Sequence, residues 1–68
     1  MKKISLNYFG NDGKGCEYDV YENGEVSIYV VSNGELESEV DINLKCLGFD
    51  TVEQLVIDLL NSGYKLNL

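Results

Sequence analysis

Residues 21–26, YENGEV, and residues 31–36, VSNGEL, set two Asn-Gly pairs ten positions apart between alternating apolar stretches. Asn-Gly in that setting is the strongest short signal for a β-hairpin. Two in succession commit the chain to three consecutive antiparallel strands. Each loop holds either two residues, both left-handed, or three, with a left-handed Gly last. A two-residue loop at the first turn sets Val20 against Ser27 and Asp19 against Ile28, so apolar side chains of one strand face polar ones of the next. A three-residue loop, Glu22-Asn23-Gly24, sets Val20 against Val26, Tyr18 against Ile28 and Cys16 against Val30. A slip of one residue exchanges the sheet faces, so the three-residue loop is expected. The same argument at Ser32-Asn33-Gly34 pairs Val30 with Leu36, Ile28 with Ser38 and Val26 with Val40. The meander strands are predicted at 16–22, 25–31 and 35–46.

Upstream, KISLNYF alternates Ile4, Leu6 and Tyr8 with polar residues and reads as a fourth strand, joined to the meander by the loop GNDGKG. Downstream the period changes. Val52, Leu55, Val56, Leu59 and Leu60 fall at i, i+3, i+4, i+7 and i+8, one stripe of a helix. Asp50 or Thr51 is placed to cap it, with Glu53 or Gln54 as reciprocal partner, and Gly63 is placed to end it. YKLNL is a candidate fifth, short C-terminal strand. The expectation is one α+β domain over residues 1–68, an antiparallel four-stranded meander sheet with one helix packed on its apolar face. The expected core holds Ile4, Leu6, Tyr18, Val20, Val26, Ile28, Val30, Leu36, Val40, Ile42 and Leu44 against the helix stripe.

On the other face the same register aligns three rows: Glu17–Tyr29–Glu37, Asp19–Ser27–Glu39 and Tyr21–Glu25–Asp41. Along the third strand Glu35, Glu37, Glu39 and Asp41 all point outward, about 6.6–7 Å apart. A solvated face that is acidic because the protein is acidic is the plain reading. Against it, like charges at neighbouring positions destabilise a sheet, and a sequence that accepts such conflict often does so at a functional surface. Glu17, Asp19, Tyr21, Glu25, Tyr29, Glu35, Glu37, Glu39 and Asp41 are therefore the expected contact residues for a basic partner protein, carboxylates steering and tyrosines supplying contact area. A sharper version has the ladder imitate successive phosphates and inhibit a DNA- or RNA-binding protein. Small acidic inhibitors carried by phages and mobile elements resemble this chain in charge and size, with no shared motif.

Composition narrows the rest. The 68 residues hold no His, Arg, Trp or Pro, and five lysines stand against twelve acids for a net charge of −7. Without His, the side chain most used for acid–base work near neutral pH is missing, and two cysteines alone make no four-ligand zinc site. Direct binding to nucleic acid or to an anionic membrane would oppose the protein's own field. GNDGKG lacks the P-loop's spacing and following helix, and neither Asn11 nor Asp19 opens a calcium loop with the ligands required. No enzyme activity, metal or cofactor is expected. Cys16 and Cys46 fall on the apolar face of the strands some ~33 Å apart, too far for a disulfide. Reduced thiols, and a start that alternates instead of forming a signal-peptide apolar block, make a cytoplasmic location the expectation. The rival to the acidic-face reading is a homodimer built through an unpaired strand edge at residues 42–46.

Overall fold

The computed structural model describes residues 2–67. Five strands, β1 (Lys3–Phe9), β2 (Lys14–Tyr21), β3 (Glu25–Ser32), β4 (Glu35–Asn43) and β5 (Lys65–Leu66), form one antiparallel sheet in the order β4-β3-β2-β1-β5. A 3-10 turn (Leu44–Leu47) and the helix α1 (Val52–Asn61) lie between β4 and β5. This is the α+β meander expected, with Lys65 and Leu66 supplying the fifth strand through the pairs Leu6–Leu66 and Asn7–Lys65; Leu68, the end of the expected YKLNL strand, lies outside the described residues.

The first Asn-Gly turn has the three-residue loop. Val20 pairs with Val26, Tyr18 with Ile28 and Cys16 with Val30. Gly24 takes φ 93°, a conformation free of penalty only for Gly. Asn23 Oδ1 accepts the Glu25 N–H at 3.1 Å.

The second turn corrects the expected register. Its loop is two residues long, with Asn33 at φ 52° and Gly34 at φ 83°, and Ser32 pairs with Glu35 and Val31 with Leu36. Asn tolerates the left-handed region, and its N–H donates to the Gly13 carbonyl at 2.8 Å, so the β1–β2 loop holds the turn in place. A β-bulge then leaves Glu37 unpaired, and the ladder resumes with Val30–Ser38, Ile28–Val40 and Val26–Ile42. One extra residue restores the alternation that the shorter loop would have inverted. Leu36, expected on the apolar face, stands instead with Val31 on the opposite one.

β4 also ends earlier than expected. Ile42 and Asn43 pair with Val26 and Glu25, and Asn43 Oδ1 then caps the 3-10 turn by accepting the Lys45 N–H at 2.9 Å. The unpaired overhang expected at 42–46 is absent: Ile42 and Asn43 pair with β3 and keep only their outer edge free, and residues 44–46 lie in the 3-10 turn.

In α1, Thr51 Oγ1 accepts the Gln54 N–H at 3.2 Å while Gln54 Oε1 accepts the Asp50 N–H at 3.0 Å. At the far end the Tyr64 N–H reaches the Leu59 carbonyl at 3.0 Å and the Gly63 N–H the Leu60 carbonyl at 3.2 Å, a Schellman motif with Gly63 at φ 98°. The motif drops Tyr64 between Tyr8 and Tyr18, with ring centroids 5.7 and 5.4 Å away.

Leu6, Val20, Val26, Leu44, Leu55 and Leu59 are buried, with Leu47 and Phe49 of the β4–α1 connection packed against them. Ile4, Val30 and Val40 point to the same side but stay exposed. A ten-residue helix is about 15 Å long and ~10 Å wide, whereas five strands span about 19 Å across. α1 packs against β2 and β5, and the β3–β4 margin of the apolar face is left uncovered. Both cysteines are free, Cys16 half-buried and Cys46 exposed on the 3-10 turn, not on a strand.

Candidate functional site

The face opposite α1 is built from four rows. Lys3 pairs with Tyr21, and Glu25, on the next strand, with Asn43. Ser5, Asp19, Ser27 and Asp41 make the second row, Asn7, Glu17, Tyr29 and Glu39 the third, and Phe9, Gly15, Val31 and Leu36 the fourth. The Ser38–Asn43 stretch is shifted by two residues from the expected pairing, so its residues keep their faces but change neighbours.

Of the nine carboxylates and tyrosines expected on this surface, Glu17, Asp19, Tyr21, Glu25, Tyr29, Glu39 and Asp41 share it. Glu35 stands opposite Ser32, on the face that carries Ile28 and Val30, and Glu37 occupies the bulge. The four-carboxylate ladder is therefore interrupted, and only Glu39 and Asp41 keep the spacing of alternate strand residues.

Asp19 differs from its neighbours. It is only 4% exposed, accepts the Ser5 hydroxyl at 2.7 Å, and meets Lys3 Nζ at 3.3 Å. Ser27 likewise donates to Asp41 at 2.7 Å. Asp19 holds β1 and β2 together and presents no free carboxylate to a partner. The bond to Asp19 and its charge raise the Lys3 pKa. Partial desolvation pushes the Tyr29 phenol up, with Asp19, Glu39 and Tyr21 adding to it and Ser27 opposing. The face is thus mixed in charge at β1, where Lys3 stands, and acidic across β3 and β4.

The row Phe9–Gly15–Val31–Leu36 escaped the sequence reading. A Cβ on Gly15 would collide with the Phe9 ring, so the ring lies over the glycine, and Phe9 and Leu36 are 60% and 58% exposed. Large apolar side chains so placed beside carboxylates resemble the centre and rim of a recognition surface. Phe9 was legible as an outward position of β1, but its neighbours depend on the β1–β2 register. Leu36 was hidden by the bulge.

A concavity of about 850 Å³ lies elsewhere, between the β2–β3 turn, the 3-10 turn and the start of α1. Lys2, Lys3 and Lys45 line it with Glu22, Asp50 and Glu53, so its formal charges cancel. Among the described residues no three carboxylates or thiols gather where they could hold a metal ion, and no helix is long and apolar enough to cross a membrane. No family model, curated protein or solved structure matches the chain.

Proposed function

We propose that the protein is a non-catalytic binding module that receives a basic partner protein on the β2–β4 part of its outer sheet face. The observation that carries this reading is the juxtaposition of the row Glu17–Tyr29–Glu39 with the uncovered apolar row ending in Phe9 and Leu36. Carboxylates raise the encounter rate and set orientation, while desolvated aromatic and aliphatic groups supply affinity. The interrupted ladder gives a phosphate-imitating version of this reading less to stand on than a general basic protein surface.

The experiment is capture from lysate on the immobilised protein at low and high salt, beside the variant Glu17→Lys with Glu39→Lys. Retention of basic proteins that is lost both in salt and in the variant supports the reading, and competition by nucleic acid then tests imitation directly. Unchanged retention by the variant overturns it.

A second reading rests on the bulge. Exposed edge strands are commonly protected from pairing with other chains by charges and bulges, and β4 carries Glu35, Glu37, Glu39 and Asp41 with a bulge at Glu37. On that reading the acids act against self-association, and replacing them with Ser produces aggregation without loss of any partner.

A further inference from the structure

The two margins of the sheet are unlike. On one side β5 is two residues long and carries Lys65; on the other β4 is nine residues long, and among the described residues nothing pairs with its outer edge. The N–H and C=O groups of alternate β4 residues therefore point away from the sheet, which is the template used when an extended peptide adds a strand. Beyond the bulge the run Ser38–Asn43 pairs regularly with β3 and offers six residues of undisturbed edge. Its two sides are chemically distinct. Glu39 and Asp41 lie on the outer face, and Val40, 47% exposed, lies on the other beside Val30, 38% exposed, where α1 does not reach.

A second copy of β4 does not suit this edge, because pairing would bring acids of one strand beside acids of the other, and like charges across strands destabilise. An oppositely charged strand does. We propose that the free edge of β4 receives, as a sixth strand, an extended partner segment of about six residues, with Lys or Arg at alternate positions beside Glu39 and Asp41 and aliphatic side chains beside Val40. The inference rests on the reading that the partner is basic and adds where its backbone lies. The same carboxylates that repel another copy select such a segment, so one arrangement serves negative and positive discrimination.

The test uses the full chain, labelled with nitrogen-15, and an acetylated, amidated hexapeptide of alternating lysine and valine. The expected result is salt-sensitive binding that slows hydrogen exchange at every second amide between Ser38 and Asn43. Methylating the backbone nitrogens of either the lysines or the valines should abolish binding, and methylating the other set should leave it. Glu39→Lys with Asp41→Lys should weaken binding roughly tenfold or more, with the variant's own amide spectrum showing the fold intact. Binding without protection of β4 amides, or binding insensitive to both methylation patterns, overturns the edge and leaves the outer face as the receiving surface. Absence of binding at millimolar peptide also overturns it, whereas the lysate capture with Glu17→Lys and Glu39→Lys judges the basic-partner reading separately.

Discussion

Asp19 and Glu39 carry the same formal charge on the same face, yet their surroundings assign them different work. The Asp19 carboxylate is shut beneath Ser5 and Lys3, while Glu39 is exposed at the sheet's margin. Removing one partner of a buried hydrogen bond strands the other, at about 1–3 kcal/mol. Asp19→Ala should therefore lower unfolding stability by about that amount in urea titration, and Glu39→Ala should change it by less than ~0.5 kcal/mol. Equal losses would show that Asp19 is not the structural member of the pair.

The second hairpin sets turn chemistry against sheet alternation and satisfies both. Asn33-Gly34 forms the two-residue loop, and Glu37 absorbs the resulting offset. Deleting Glu37 would place Leu36 next to Ser38 and leave every other β3–β4 pair and every facing unchanged. Single deletion is thus expected to preserve the far-UV circular dichroism and to shift stability by about 1 kcal/mol or less. Deleting Glu37 and Ser38 together would turn Val40 and Ile42 toward the acidic face and should unfold the domain. A three-residue loop reverses the first expectation, because the single deletion would then be the one that exchanges faces.

Across the whole molecule the groups with raised pKa act in one direction. Burial lifts the Tyr18 and Tyr64 phenols above their ordinary value of 10.0, with Cys16 contributing to both, and Asp19 lifts Lys3 above 10.5. A group whose folded pKa is raised holds its proton more tightly when folded. Its stabilisation is complete below the unfolded pKa and is lost as pH rises through the folded one. Unfolding free energy contributed by these groups should be level from about pH 7 to 9 and fall above about pH 10. In a base titration, tyrosinate absorbance from Tyr18 and Tyr64 should appear together with loss of the far-UV signal. Full tyrosine ionisation in a still-folded protein would contradict the aromatic packing around Tyr64.

Much of this architecture is written in local patterns. Two Asn-Gly turns between alternating residues specify the meander, a 3.6-residue stripe between Thr51 and Gly63 specifies the helix, and the surplus of acids over lysines is a matter of counting. These features are legible because each depends on residues a few positions apart. Three others were decided by contacts between distant segments. The loop length at Asn33 is tied to the hydrogen bond its N–H donates to the Gly13 carbonyl of the β1–β2 loop, the role of Asp19 depends on β1 arriving beside it, and the exposure of Val40 follows from where a single short helix comes to rest. Spacing along the chain carries no record of such neighbours, so the acidic character of the face was readable in advance, while the places of Glu35, Glu37 and Leu36 and the geometry of the face awaited the packed sheet.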